Sequence, residues 1–457
     1  MAPPLTDLRY PFGSAEEFIK GGFFADSQAF HLTIAWVGLL FLIFAAFFLP
    51  PKKTFSVTCA TLAFVLMPYT NPAFSIRGLF PTDFFSVLTV ISYFFSAFLF
   101  NKRSKSLPWH WLCFWSLIGI HSLWVFLYYN LGESSALSHR VVLILRPLIS
   151  VIAGWILYGE IKEHLKVRSF LSLMVILSLG ICAIVYILQM VKFAGGLVPF
   201  GTMPSAGFGG IRFGGVSNEG GHLAKLTLPL LMSILLWTNR RLRYPLFVFF
   251  SAVFLINVSA TGYLSFFVLI FSVILLTLIS ILRRFTGRTL FVFVPVVFSV
   301  GLLAFLFNEK LNQIPAYAGL VGKVSDSINQ AGSPEKDPYG RSPLIATAII
   351  NRFPLGVGFA GSTQRNMVMS QFSFVAKENN LGVNVAVASW SFFAVIIFLY
   401  LSYKFAASVW NTSIVQKSVL ISLVFLMSID VLWSSVGMFL MLLSAANPIR
   451  QLRPKSV

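Results

Sequence analysis

The sequence predicts an all-α fold: a polytopic transmembrane helical bundle of about twelve spans, with one large external loop that contains short helices. Three observations predict it. Of 457 residues, 57% are hydrophobic and only 11% charged, whereas soluble globular chains carry about 25% charged residues. Apolar runs of about eighteen residues or more recur along the chain, each long enough to cross a hydrocarbon core of roughly 30 Å as a helix. Lys and Arg gather in short loops between these runs, where topology signals sit. The mean hydropathy of +0.82 fits the same class.

The net charge of +19 does not make this a nucleic-acid binder, because the basic residues lie between apolar runs rather than in one patch or stripe. Cys59, Cys113 and Cys182 all fall inside apolar segments and read as small core residues. The opening "MAPPLTDLRYPFGSAEEF" places acids and prolines where a secretory signal needs a basic n-region.

Taken in order, spans are expected near 30–50, 56–74, 82–100, 108–129, 140–158, 169–191, 222–238, 244–258, 260–282, 289–307, 380–403 and 417–445. The loops "PKK", "NKRSK", "IKEHLKVR", "NRRLR" and "RRFTGR", with the stretch Lys404–Lys417, hold sixteen basic residues. They alternate with loops nearly free of basic clusters and therefore belong in the cytoplasm. The organisation follows: transmembrane helices over 1–307 with a Gly-rich outer loop at 192–221, a large outer loop at 308–379, then helices and a basic tail over 380–457. Twelve single spans would leave Arg450, Arg453 and Lys455 of the tail on the outer side, against their charge. Either 417–445 is not one simple span or an N-terminal segment is misread.

Ionisable groups within apolar spans are costly, so each needs a reason. Arg140 and Arg146 lie six residues apart in "HRVVLILRPLISV". Arg140, near the end of its span, suits snorkelling to the interface; Arg146, nearly two turns deeper, points to a polar cavity. Lys225 and Asp430 also fall in or near spans and suit structural pairing, and His121 reads as a hydrogen-bonded core histidine. The outer loop carries seven glycines from Gly207 to Gly221, a backbone able to approach a ligand closely. Among them sit Arg212, Glu219 and His222. Arginine forks onto phosphate and a carboxylate can act as general base, although a solvated loop with incidental charges fits the same residues.

The large insert contains "YGRSPLIATAIINRFPLGVGFAGS". Ser342-Pro343 is a cap followed by proline at the first helical position, and apolar residues follow at helical spacing. Arg352 closes the last turn, and Pro354, Gly356 and Gly358 end the helix. A short amphipathic helix between Arg341 and Arg352 suits an anionic head group, or is simply a capped helix with solvated arginines.

Three stretches then resemble the O-antigen polymerase/ligase superfamily. "RFGGVSNEGGHLA" (212–224) is similar to the family's arginine, glycine and acid-bearing segment, and "GRSPLIATAIINRFPLGVGFAGS" (340–362) to its arginine-to-glycine block. "ENNLGVNVAVASWSFFAVIIFLYL" (378–401), with Asn379 and Asn380, resembles the segment where the large outer loop re-enters the membrane. Two departures matter. Ligases of the superfamily carry His-Asn where this chain reads "ENN", and the six histidines, His31, His110, His121, His139, His164 and His222, leave none in the insert. The family's Ser-Arg at a central span appears as "NVSATGYLS", without the arginine. The resemblance therefore implies a polymerase rather than a ligase.

It implies a GT-C-like, metal-independent and cofactor-free glycosyltransferase of the bacterial inner membrane, with its active site facing the periplasm. Its substrates would be oligosaccharide units on undecaprenyl pyrophosphate, with a chain-length regulator as a possible family partner. Arg146, Arg212 and Arg341 are assigned to the pyrophosphate, with Arg140 and Arg352 as further candidates. Glu219 is the preferred base for the acceptor hydroxyl, followed by Glu378 and His222. An O-antigen ligase is the nearest alternative. A lipid-linked oligosaccharide flippase or other transporter is the alternative from another class, and the sequence shows neither its inverted repeats nor its paired broken helices.

Overall fold

The computed structural model describes residues 24–25, 30–49, 54–76, 79–99, 109–128, 134–195, 197–198, 205–207, 210–217, 220–255, 260–282, 344–358, 382–396, 399–400, 403, 412–429 and 435–446. Helices dominate them. The first nine are α1 (Phe30–Phe48), α2 (Phe55–Val65), α3 (Pro81–Leu99), α4 (Trp109–Tyr128), α5 (Ser134–Glu163), α6 (Leu165–Ala194), α7 (Gly220–Trp237), α8 (Arg240–Leu255) and α9 (Ala260–Leu282). Then come α10 (Leu344–Arg352), α11 (Gly382–Trp390), α12 (Ile414–Ile429) and α13 (Val436–Ala446). The fold is all-α as expected, with two short ladders beside the helices: β1 (Phe24–Ala25) pairs in parallel with β2 (Leu197–Val198), and β3 (Ser205–Gly207) pairs antiparallel with β4 (Gly210–Arg212).

Among the described residues, α1, α3 and α6 are long and apolar enough to cross a membrane, and shorter apolar helices lie in α2, α4, α7, α9, α12 and α13. Their faces are arranged as a lipid solvent requires. Ile91, Phe95 and Phe98 of α3 and Ile184, Ile187 and Val191 of α6 are exposed large apolar side chains at helical spacing. Small hydroxyls are turned inward instead. Thr61, Ser86 and Thr89 each donate to the carbonyl four residues back, and Thr82 and Ser178 cross between helices to the carbonyls of Ala63 and Val65 at 2.7 and 2.5 Å. Such residues let backbones approach and satisfy polar groups without water. Gly154 of α5 serves the same purpose, since an added Cβ would stand 3.3 Å from the Val436 carbonyl and the Leu440 nitrogen of α13.

Three expected spans take a different form. The apolar stretch 56–74 folds as α2, only 11 residues long and buried nearly all round, followed by turns and a 3-10 helix at Pro72–Phe74. At 1.5 Å per residue α2 reaches about 16 Å, half a bilayer core. Pro68 and Pro72 frame the turn region, where they cannot donate to a helix. The stretch 417–445 is two helices, not one. Gln416 near the start of α12 donates to the Ser444 carbonyl near the end of α13 at 3.4 Å, so the pair runs antiparallel and returns the chain to the side where α12 began. Finally, 380–403 is interrupted at Ser391. The expected span at 289–307 lies outside the described residues.

Candidate functional site

One end of the bundle is built from loops pinned by side chains. The Gly-rich stretch enters through the β3–β4 hairpin, in which Ser205 pairs with Arg212 and Gly207 with Gly210. Phe213 follows immediately, buried, with its ring 5.2 Å from that of Phe193 on α6. Gln189 of α6 then holds Gly215 from both sides of its amide: its Oε1 accepts from the Gly215 N–H at 2.8 Å, and its Nε2 donates to the Gly215 carbonyl at 3.4 Å. Gly215 has φ of 62°, and a Cβ there would press on Leu223 at 3.1 Å, so glycine suits both the turn and the contact. The Asn71 N–H donates to the Val216 carbonyl at 3.1 Å, and the Ser217 hydroxyl donates to the Pro68 carbonyl at 2.5 Å. The Gly-rich loop is thereby fixed to α6 and to the turn after α2, directly before α7 begins.

The first turn of α3 belongs to the same end. Its Thr82 is anchored to α2 through the Ala63 carbonyl, and its Asp83 accepts a 2.8 Å hydrogen bond from Arg146 Nε of α5. A carboxylate is favoured in the first turn of a helix, where unpaired N–H groups leave positive charge. Arg146 thus has a definite partner, which the sequence reading did not single out. The guanidinium side chain is 42% exposed and the carboxylate 16%.

The insert attaches elsewhere, on α4, α5 and α11. Ile345, Ile349 and Val357 are buried with Trp115 and Ile118 of α4, Val151 of α5, and Val387 and Trp390 around α11. After α10 the chain seals a break in α11. Ser391 adopts φ of 42°, a conformation unfavourable for a non-glycine residue, and residues 392–396 resume as helix. In an unbroken helix the Phe392 N–H would reach the Ala388 carbonyl. Here it donates to the Pro354 carbonyl at 3.3 Å, while the Val357 and Gly358 N–H groups donate to the Ala388 and Ser389 carbonyls at 2.9 and 2.8 Å. Backbone groups freed by the break are therefore satisfied by the insert, as burial in a membrane demands. Gly356 (φ 70°) and Gly358 (φ 80°) make this possible: added Cβ atoms would stand 2.5 Å from the Ser389 carbonyl oxygen and 2.9 Å from that of Ser122. His121 lies at this junction, its ring 4.9 Å from Phe393.

The sequence-predicted residues divide as follows. Arg146 and His222 have described side chains toward the loop-rich end, His222 half-buried on the first turn of α7. Lys225, one turn further along α7, is also half-buried. Arg212 is placed by its backbone in β4 and Arg140 by its backbone in α5, but their side chains lie outside the described residues, as do Glu219, Arg341, Glu378, Asn379, Asn380 and Asp430 entirely. Arg352 closes α10 as expected, exposed, with its guanidinium carbon 6.0 Å from the centre of the Phe353 ring. The residues missed are Asp83, Gln189 and Ser391. The signal for Asp83 was a carboxylate two residues after Pro81 at the head of an apolar span. No family model and no curated protein matches this chain.

Proposed function

We propose that this chain is an integral membrane glycosyltransferase that polymerises oligosaccharide units carried on undecaprenyl pyrophosphate into a surface polysaccharide. The reading includes a GT-C-like bundle of about twelve spans in the bacterial inner membrane, with the loop-rich end facing the periplasm. The observation that carries it is a Gly-rich loop, bearing Arg212 in β4 and leading to His222 on α7, fixed at the end of the bundle where Asp83 of α3 holds Arg146. Two helices, α3 and α7, also begin there, and the partial positive charge of helix N-termini favours an anion.

The reaction needs no nucleotide sugar. The acceptor hydroxyl oxygen attacks the anomeric carbon, the bond from that carbon to the pyrophosphate oxygen breaks, and the hydroxyl proton passes to a base, Glu219 in this reading. Attack opposite the leaving group inverts the anomeric centre. Arg146, Arg212 and Arg341 neutralise charge growing on the pyrophosphate, a task suited to a permanently charged fork. Each donor is worth on the order of 2.7–4 kcal/mol in the transition state, by the measure of single oxyanion-hole donors. In this reading Arg341 and Arg352, borne by the insert, act on the lipid head group.

Arg341→Ala should stop chain elongation in cells while expression and membrane insertion persist; normal polymer length in that variant removes the insert from the mechanism. A second reading, transport of the lipid-linked unit, is favoured by the broken helix at Ser391, since transporters place such breaks at substrate sites. Proteoliposomes that move a labelled lipid-linked unit between leaflets without extending it would select that reading.

A further inference from the structure

We infer that Asp83 is the positioning residue for Arg146: by taking the Nε–H it leaves the Nη1/Nη2 edge of the guanidinium as the fork that meets a diphosphate. The inference rests on the proposed pyrophosphate role of Arg146 and deepens it. Arginine has two edges able to grip an oxyanion, one made by Nε with Nη2 and one by the two Nη groups. The 2.8 Å bond joins Asp83 Oδ1 to Nε, which commits the side edge to the protein. The end edge is the part left for a ligand.

The carboxylate is the fixed member of the pair. Asp83 sits on a helix whose first turn is set by Pro81, its N–H donates to the Phe80 carbonyl at 3.0 Å, and its neighbour Thr82 is tied to Ala63 at 2.7 Å. Arg146 is a long side chain with several rotatable bonds, and it is the more exposed of the two. A partly exposed ion pair contributes little to stability, so holding the fold is a weak reason for placing an acid 63 residues away against this arginine. Orientation is the better reason: an arginine held from one side loses less freedom when it grips an anion from the other.

The test uses the full-length protein in detergent micelles and farnesyl diphosphate as probe, with binding and melting temperature measured together. Arg146→Ala should weaken binding at least about tenfold, the loss of one charge-assisted contact. Asp83→Ala should weaken it about three- to tenfold with an unchanged melting temperature. Asp83→Asn, which keeps an acceptor oxygen for Nε–H, should stay within about threefold of the unaltered protein. If Arg146→Ala weakens binding but Asp83→Ala does not, the positioning role fails and the pyrophosphate reading stands. If Asp83→Ala and Asp83→Asn fall equally and both lower the melting temperature, the pair is structural and the inference is overturned. If Arg146→Ala binds as the unaltered protein does, the pyrophosphate role of Arg146 falls, and this inference with it.

Discussion

Two polar attachments among the described residues are made from different materials. At the Gly-rich loop, side chains do most of the holding: Gln189 and Ser217 reach backbone groups beside a single backbone bond from Asn71 to Val216, and the Asp83–Arg146 pair ties α3 to α5 at the same end. At the insert, backbone meets backbone, with Val357, Gly358 and Phe392 exchanging hydrogen bonds across the break at Ser391. A side-chain attachment can relax around a change, because rotatable bonds absorb it. A backbone attachment has no such slack, because the distance between the chains is itself the fit. The insert should therefore be the brittle joint, and the loop-rich end the adaptable one where binding chemistry can be tuned.

The sharpest way to break this contrast is Gly356→Ala. The added carbon would meet the Ser389 carbonyl at 2.5 Å on a backbone with φ of 70°. The left-handed conformation alone costs about 1–2 kcal/mol, and overlap with a fixed backbone adds to it. A fall in melting temperature in detergent, with new protease sensitivity between residues 344 and 358, is expected. Next comes Gln189→Ala, which strips two hydrogen bonds from buried Gly215 and should cost about 1–3 kcal/mol, read as a smaller shift in melting temperature. Ser217→Ala removes one bond to Pro68 and should cost about 1 kcal/mol by the same measurement. Arg352→Ala, at an exposed helix end, should move stability by no more than about 0.5 kcal/mol. If Gly356→Ala proves as mild as Ser217→Ala, the contrast between the joints is wrong.

Much of the helical frame was legible in the chain. The runs expected at 30–50, 82–100, 169–191 and 260–282 match α1, α3, α6 and α9 within a few residues, because each is a continuous apolar stretch with polar or turn residues at its ends. The short helix α10 was legible from its Ser-Pro start and its Arg352–Gly358 stop. Hydropathy did not reveal where an apolar run folds back on itself. The stretch 417–445 reads as one span by apolarity, yet its halves pair through Gln416 and Ser444. The break in 380–403 was equally hidden: "ASWSFF" has no glycine or proline, and the residues flanking Ser391, Ala388, Ser389 and Phe392, bond to a distant segment. Those same bonds give Gly356 and Gly358, expected only as helix terminators, a second task. Arg146 was singled out for its depth in an apolar span, but its partner was not, since an acid 63 residues away leaves no periodic trace. The roles of Glu219, Arg341, Glu378, Asn379 and Asn380 concern residues outside those described and rest on the sequence.

The central proposal is that arginines grip a lipid-linked pyrophosphate outside the membrane so that sugar units can be joined. The direct measurement is to incubate the purified protein, unaltered and as Arg146→Ala, with the lipid-linked repeat unit and to resolve the products on a gel. A ladder of lengthening polymer from the unaltered protein, reduced at least about a hundredfold in rate by Arg146→Ala, is the predicted result. A single band of unextended unit from the unaltered protein, or equal ladders from both, would contradict it.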